Sequence, residues 1–292
     1  MKKQSKSDFG LSTNALKLIA LVFMTVDHVG YLCGHIPFVA DHSILLRTLG
    51  RIAAPLVLFA VVQGCRHTRS KPRYALRLYA AGVLAGLFHA AMNRFFGGVL
   101  GVHSFGVIFF TFAYAVLFIL VIEQFTSCVD RSRPLLAVLW LALGAAAYCL
   151  RYASAGLFPF LCRMGLSEQL AYDLSLALCP QKPEYGWTFV TLAVVLYFLR
   201  GKGRQIAGFA AFCVLCLGVH YALPTLAASA PQFVSSYFVR AFCNDIQIWM
   251  FLAIPFMALY NGRPGHGSKL FFYVYYPVHM YVLLAIDLIF AK

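Results

Sequence analysis

Long apolar stretches alternate with short polar segments along almost the whole chain. A bilayer crossing takes about 20 mostly apolar residues. Nine stretches are candidates for such crossings: 14–34, 44–64, 74–93, 104–125, 134–153, 185–200, 205–222, 243–261 and 269–290. The charged and proline-containing segment 154–184 fits a surface excursion with an amphipathic piece better than a crossing. The pattern predicts an all-α fold, a polytopic transmembrane helix bundle of about nine spans that forms a single domain over residues 1–292.

Composition and charge placement support this prediction. The chain is 61% hydrophobic and 12% charged, whereas a soluble domain carries about 25% charged residues. Its net charge of +14 comes from Lys and Arg residues that lie between the apolar stretches, which is typical of topology signals and contact with anionic lipids rather than nucleic-acid binding. Their distribution predicts a cytoplasmic N-terminus and a location in the cytoplasmic membrane. The first stretch contains Asp27 and His28 and has no Ala-x-Ala site, so we interpret it as a retained span.

Three ionisable side chains lie in the first span. Lys17 and His28 are eleven residues apart, which is close to three helical turns, so they share a face with His28 about 16 Å deeper. Lys17 would then lie at the cytoplasmic interface and His28 near the middle of the membrane. Asp27 lies about 100° around the helix from His28. This face either joins a phosphate-binding cation to a buried acid or base, or holds a snorkelling Lys and a His bonded to a neighbouring helix; the adjacent Asp-His pair favours the first reading.

Two further spans carry ionisable groups at comparable depth. Arg51 lies deeper than Arg47 in the second span and needs an anionic partner, for which Asp27 is a candidate. His279 lies about ten residues into the last span. A lone His within a span is more often a helix–helix hydrogen bonder than a catalyst, but His279 is also a candidate hydrogen-bond donor at a reaction centre.

The segment RHTRSKPRYALR carries the arginine run, which consists of Arg66, Arg69, Arg73 and Arg77. Arginine forks match phosphate oxygens well, so the run is either a phosphate-binding surface or an ordinary positive-inside loop. The Gly-rich loop LYNGRPGHGSK is either a plain turn or a second phosphate contact. The chain contains no P-loop motif, and neither its Cys nor its His residues show strong metal-ligand spacing, so no metal is predicted.

Three segments together resemble the TraX family: LSTNALKLIALVFMTVDHVGY, LGRIAAPLVLFAVVQGCRHTR and IWMFLAIPFMALYNGRPGHGSKLFFYVYYPVH. That family is named after a conjugation protein that acetylates the N-terminus of pilin, and it is similar to the broader transmembrane acyltransferases. Family-3 acyltransferases have a Lys or Arg, ten residues and a His in the first helix, which Lys17 and His28 match. Their cytoplasmic Arg-x-x-Arg is matched by Arg66 and Arg69. The resemblance implies that His28 is essential and that the arginine pair helps to hold acyl-CoA.

The expected function is therefore acyl transfer, with cytoplasmic acetyl-CoA as the acyl donor. Its phosphates would contact Arg66, Arg69 and, with them, Arg73 and Lys17.

His28 would act as general base, either in direct transfer or through an acyl-His intermediate. Asp27 would orient an imidazole on another helix or pair with Arg51, and His279 would donate a hydrogen bond to the developing oxyanion. The acceptor is left open between a pilin N-terminus, another peptide amine and a sugar, so the partner is a protein or a glycan. A proton-coupled transporter and a non-catalytic assembly factor for surface appendages are the alternatives.

Overall fold

The computed structural model describes residues 10–100, 107–179, 183–229 and 247–291. Within these ranges the secondary structure is helical and contains no strand. The α-helices are α1 Thr13–Leu32, α2 Pro37–Gly50, α3 Ala53–His67, α4 Lys71–Leu100, α5 Ile108–Asp130, α6 Pro134–Cys149, α7 Ala153–Arg163, α8 Glu168–Leu178, α9 Gly186–Phe198, α10 Lys202–Ser229, α11 Ile254–Ala258 and α12 Lys269–Phe290. Two 3-10 helices cover Leu150–Tyr152 and Gln247–Ala253. The predicted all-α class is confirmed.

Six helical stretches among the described residues are long and apolar enough to cross a membrane. They are Thr13–Leu32, Pro37–His67, Lys71–Leu100, Ile108–Asp130, Lys202–Ala222 and Leu270–Phe290. The polytopic helix bundle is therefore confirmed as a class, but the count of nine spans is not. Helices α6 and α7 meet at a bend of 57° and add at most a seventh span, and α9 has only 13 residues. The cytoplasmic N-terminus remains a prediction.

Large apolar side chains cover much of the outer surface of the helices. Leu135 is 85% exposed, Phe95 77% and Ile44 72%. In water, contiguous exposure of this kind would promote aggregation. In a bilayer these side chains would contact lipid tails, which are equally apolar, so their exposure carries no such penalty. The backbone hydrogen bonds are already made within each helix, as a bilayer requires. The exposed apolar surface thus agrees with a bundle whose outer faces contact lipid.

The described chain divides into two compact units. The first unit contains residues 10–66, 195–229, 247–269 and 278–291, and the second contains 67–100, 107–179, 183–194 and 270–277. Helix α12 therefore contributes its first two turns to the second unit and the rest to the first. The first unit contains all six of the ionisable residues singled out in the first, second and last spans: Lys17, Asp27, His28, Arg47, Arg51 and His279.

A tightly packed hairpin of α1 and α2 forms the frame of the first unit. Ser12 caps α1 by accepting a hydrogen bond from the backbone N–H of Ala15 at 3.2 Å, and Pro37 begins α2 at a position where a proline costs no hydrogen bond. The helices approach most closely at Gly50. A Cβ there would lie 2.2 Å from Cβ of Asp27, so only glycine admits this approach. The contact fixes the position of Asp27 against the end of α2.

The segment predicted to be an amphipathic excursion forms helices α7 and α8 in the second unit. One face of α8 is buried through Ala171 and Ser175, which are four residues apart. Its other face carries an exposed hydrogen bond from Gln169 to Asp173 at 3.2 Å. Helix α8 is thus amphipathic and packs against α4.

Candidate functional site

The start of α1 is held by the Gly-rich loop that precedes α12. The first backbone N–H groups of a helix have no partner within the helix. Here Thr13 N–H donates to the carbonyl of Arg263 at 2.8 Å, and Asn14 N–H donates to the carbonyl of Pro264 at 3.0 Å. Since loop carbonyls already occupy this helix terminus, it is not an open anion site. These contacts support the interpretation of the loop as a turn.

Gly265 is what allows the loop to lie this close to α1. Its φ of +72° is in the left-handed region that favours glycine, and a Cβ would lie 2.3 Å from Oγ of Ser12. Nearby, Oγ1 of Thr13 donates to the hydroxyl of Tyr260 at 3.2 Å, and burial raises the pKa of that hydroxyl. The loop therefore fixes the end of α1 that carries Lys17, a half-buried residue.

Helix α1 runs without interruption from Thr13 to Leu32, so Lys17 and His28 have the helical spacing that the sequence analysis assumed. At its far end, the ring of His28 contacts the ring of His279. Nδ1 of His28 lies 2.7 Å from Nε2 of His279, and the ring centroids are 4.9 Å apart with an interplanar angle of 31°. At that separation one nitrogen donates a proton and the other accepts it. The structure thus brings together two histidines that are 251 residues apart in the sequence.

Asp27, which precedes His28 in α1, forms an ion pair with Arg51. Their side chains are 12% and 13% exposed, respectively, so the pair is largely withdrawn from solvent. Arg51 also donates through Nε to the carbonyl of Arg47 at 3.2 Å and through Nη1 to Oε1 of Gln247 at 3.4 Å. The other carboxylate oxygen of Asp27, Oδ1, is buried and has no hydrogen-bond partner among the described residues. Within the described chain, this oxygen therefore lacks the partner that a buried polar atom usually has.

We call the five residues of this region the deep polar cluster: Asp27, His28, Arg51, Gln247 and His279. Sequence reasoning singled out four of them and missed Gln247. An uncharged amide attracts less notice than a charge, although Gln247 lies within the candidate span 243–261 and is 6% exposed. Its polarity at that position was the available signal, because a buried amide needs hydrogen-bond partners.

Arg66 has a different environment within the first unit. Its Nη2 donates to the carbonyls of Leu199 at 2.6 Å and Leu196 at 3.3 Å, and also to that of Tyr197. These carbonyls lie at the C-terminal end of α9, where cations are stabilised by the unpaired carbonyls and the helix dipole. Gln205 supports the same end by donating to the Leu196 carbonyl at 2.7 Å. Arg66 therefore acts as a cap on α9.

The remainder of the arginine run belongs to the second unit. Arg69 precedes α4 and Arg73 lies in its first turn, and both side chains are exposed. Within the described part of the chain, neither guanidinium forms a hydrogen bond or an ion pair. Arg77 instead lies over the ring of Tyr74 at 5.6 Å. Arg69 and Arg73 thus keep charge that an anionic ligand could use.

Comparison with known proteins identifies the family of this chain. The family model described as "TraX protein" matches residues 12–171 and 169–287. The chain belongs to the TraX family. The match includes every residue of the deep polar cluster and of the arginine run in this TraX-family chain.

One relative extends the comparison over nearly the full length. The chain is 28% identical over 276 residues to "Probable fimbrial assembly protein FimC, serogroup H1" from Dichelobacter nodosus, and the alignment covers 92% of each chain. No solved structure matches the chain. Among the described residues of this TraX-family chain, no group of three or more His, Cys, Asp or Glu side chains could hold a metal ion.

Proposed function

We propose that this TraX-family chain is an acyltransferase of the cytoplasmic membrane, which transfers an acetyl group from acetyl-CoA to an amine or hydroxyl acceptor. The observation that carries the proposal is the contact between Nδ1 of His28 and Nε2 of His279 at 2.7 Å. Two neutral imidazoles in contact share one N–H and can accept one further proton between them. A pair of this kind in an apolar bundle is suited to general base catalysis.

The pair defines a balanced transfer step. Because the contact uses Nδ1 of His28, Nε2 of His28 is the nitrogen that would take the proton from the acceptor. The acceptor nitrogen or oxygen bonds to the thioester carbonyl carbon, and the carbon–sulfur bond then breaks. The proton held by His28 passes to the departing CoA sulfur. In this scheme His279 orients His28 and shares the added charge, which replaces its earlier assignment as an oxyanion donor.

Asp27 favours an amine as the acceptor. Its Oδ2 accepts from Arg51, whereas its buried Oδ1 lacks a hydrogen-bond partner in the described chain. A carboxylate oxygen accepts hydrogen bonds from an ammonium or amine group more strongly than it does from a neutral hydroxyl. The name of the FimC relative supports a subunit of a surface appendage as the acceptor, and a pilin N-terminus is the first acceptor to test.

The donor phosphates have four candidate ligands, Lys17, Arg66, Arg69 and Arg73. The exposed guanidinium groups of Arg69 and Arg73 support their role in phosphate binding. The three carbonyl contacts of Arg66 favour a structural role, in which it supports the end of α9 rather than binding the donor directly. Lys17 remains a candidate because it lies eleven residues before His28 on the same face of α1.

The proposal is tested by supplying acetyl-CoA labelled in the acetyl group to membranes that contain the intact chain, His28→Ala or no chain. His42→Ala is the matched control because His42 is exposed and bonds only locally, to the carbonyl of Phe38 at 2.9 Å. Label should pass to an acceptor with the intact chain and with His42→Ala. His28→Ala should lower the transfer rate by about 100-fold or more, with donor affinity within about twofold. Equal transfer by His28→Ala would contradict the proposal.

A non-catalytic assembly role is the second candidate, favoured by the name of the FimC relative. It predicts that appendage assembly survives His28→Ala unchanged and that no acceptor is labelled. Counting surface appendages in cells that carry the same three variants separates the two functions. Loss of label together with intact assembly would show that the two activities are independent.

A further inference from the structure

The second half of α12 is joined to the α1–α2 hairpin along one seam. Three residues of α12 at intervals of four, which is the spacing of one helix face, contact three residues at the end of α1 and in the following turn. The contacts join His279 to His28, Leu283 to Cys33 and Asp287 to His35. All six residues belong to the first unit. The seam therefore begins at the proposed catalytic pair and ends about 12 Å farther along α12.

Pro277 makes this seam important for the position of His279. A proline inside a helix has no N–H to donate to the carbonyl four residues earlier, and its ring weakens the helix at that point. Pro277 lies inside α12, two residues before His279. The first turns of α12 therefore hold His279 less firmly than a continuous helix would. The contacts after Pro277 must supply the remaining constraint.

The strongest of those later contacts is a two-point bond between His35 and Asp287. The backbone N–H of His35 donates to Oδ1 of Asp287 at 2.9 Å, and Nδ1 of His35 lies 2.7 Å from Oδ2. The carboxylate is mostly buried, with 11% of its side chain exposed, whereas the imidazole is 61% exposed. Both oxygens of one carboxylate are thus fixed to a single residue in the α1–α2 turn.

Between the two polar contacts the seam is apolar and closely packed. Cys33, Val39 and Leu283 form a buried cluster, against which Val29, Leu32, Ile36 and Leu46 pack. Closely packed side chains transmit displacement, because they cannot move independently without opening voids. A shift of α12 at Asp287 would therefore carry His279 with it.

We propose that His35 and Asp287 are positioning residues, which hold His279 within hydrogen-bond distance of His28. The inference rests on the proposed acyl transfer for its catalytic meaning, but its geometric content does not depend on that activity. The two contacts between His35 and Asp287 hold the far end of the seam. The apolar cluster transmits this constraint to the histidine pair. Neither His35 nor Asp287 touches the reacting groups.

Three variants of the full chain in lipid nanodiscs test the clasp. Asp287→Leu removes both hydrogen bonds at similar size. Asp287→Asn retains them, because its Oδ1 can accept from the His35 N–H and its Nδ2 can donate to neutral Nδ1. His35→Ala removes the ring bond and retains the backbone bond, and the exposed position of the ring makes misfolding of this variant improbable. Asp41→Leu is the control, since Asp41 is an exposed aspartate of α2 in the same unit.

The first readout is the set of ¹⁵N chemical shifts of His28 and His279, assigned with His28→Gln and His279→Gln. These shifts report which ring nitrogens carry protons and whether they share a hydrogen bond. Asp287→Leu should shift both sets of signals toward those of unpaired imidazoles, and His35→Ala should do so partially. Asp287→Asn and Asp41→Leu should match the unaltered chain. Unchanged signals in both Asp287→Leu and His35→Ala would overturn the clasp, whether or not the chain is an acyltransferase.

The second readout is transfer kinetics per donor-binding molecule. Asp287→Leu should lower kcat about 10-fold or more and leave the KM for acetyl-CoA within about twofold, with Asp287→Asn restoring kcat to within about threefold. If Asp287 only stabilised the fold, Asp287→Leu would reduce the number of molecules that bind donor and would leave the kcat of each binding molecule unchanged. If the intact chain transfers nothing, the proposed function fails and the ¹⁵N signals alone decide the clasp. If it transfers normally with Asp287→Leu, the clasp fails and the proposed function stands.

Discussion

The deep polar cluster and the arginine run differ in how far the protein itself satisfies their charges. In the cluster, Asp27 and Arg51 bond to each other, and His28 bonds to His279. In the run, Arg69 and Arg73 are exposed and their guanidinium groups make no bond within the described chain. A buried polar group must find a protein partner, whereas one at an aqueous edge can rely on water. The buried charges of the cluster are therefore paired within the protein, whereas Arg69 and Arg73 remain able to bind an external ligand.

Arg66 shows that the arginine run is not uniform. It is the one member of the run in the first unit, and its Nη2 is directed at three carbonyls at the end of α9. Proximity in the sequence thus says little about role, since Arg66 caps a helix whereas Arg69, three positions later, is exposed. This comparison leads to five predictions, from the largest expected effect, at the histidine pair, to the smallest, at Lys71.

The largest effect is expected for the histidine pair. Changing either His28 or His279 to Ala should lower the transfer rate roughly 100- to 10,000-fold, which is the range of a general base. Because the two rings act as one proton-accepting unit, the double variant should be no more than about tenfold slower than the worse single variant. Single-turnover transfer of labelled acetyl groups measures all three. Multiplicative losses would mean that the two rings work separately.

Breaking the ion pair of the cluster should have the next largest effect, on stability. Arg51→Met leaves the carboxylate of Asp27 buried without its cation, and should lower the free energy of unfolding by about 3–5 kcal/mol. Adding Asp27→Asn removes the unpaired charge and should recover part of that loss. Denaturant unfolding in mixed micelles measures the difference. If the double variant is less stable than Arg51→Met alone, desolvation of the carboxylate is not the dominant cost.

Arg66 is expected to behave as part of the fold. Arg66→Gln withdraws the charged donor from the carbonyls at the end of α9, and should lower the free energy of unfolding by about 1.5–3 kcal/mol, the usual contribution of hydrogen bonds to a charged group. The donor affinity of the folded fraction should stay within about threefold. Parallel unfolding and acetyl-CoA binding curves check both values. A large loss of affinity at unchanged stability would return Arg66 to the donor site.

Arg69 is expected to show the opposite pattern. Arg69→Gln removes an exposed charge that no described group uses, so the free energy of unfolding should change by less than about 0.5 kcal/mol. If the side chain binds a donor phosphate, the Kd for acetyl-CoA should rise roughly fivefold to tenfold, and this increase should shrink at high salt. Arg77→Gln, on the same run but lying over Tyr74, is the matched control. An equal increase for both would indicate a general charge effect.

The two regions also show what could be predicted from the sequence. Ionisable residues inside apolar stretches are costly enough to stand out, so Asp27, His28, Arg51 and His279 were identified and the Asp27–Arg51 contact was anticipated. The pairing of His28 with His279 depends on which helices are neighbours, which periodicity within one helix does not encode. The clasp was missed because His35 and Asp287 lie near the ends of apolar stretches, where charged residues are ordinary.

The span count shows a related limit. Hydropathy identified the apolar stretches, and the helices α1, α4, α5 and α12 lie where they were expected. Hydropathy does not register helix breaks or helix length, however. It therefore gave full spans to 134–153, which forms α6 and the 3-10 helix at the bend before α7, and to 185–200, which forms the short helix α9. Turn geometry and helix length, rather than apolar content, decide whether such a segment crosses the bilayer.

The smallest effect is expected at Lys71, which lies within the sequence of the arginine run and begins α4. Its Nζ lies 2.8 Å from Oε2 of Glu123, with side chains 22% and 28% exposed, so solvent screens the pair. A double-mutant cycle with Lys71→Met and Glu123→Gln should give a coupling energy of about 0.2–1 kcal/mol that falls with added salt. The Asp27–Arg51 pair also joins a cation to a carboxylate, but at 12% and 13% exposure, so burial should give it the larger coupling. A coupling at Lys71 above about 2 kcal/mol that resists salt would show that burial does not explain the contrast between the two regions. Lys71 would then resemble the paired charges of the deep polar cluster rather than the exposed Arg69 and Arg73.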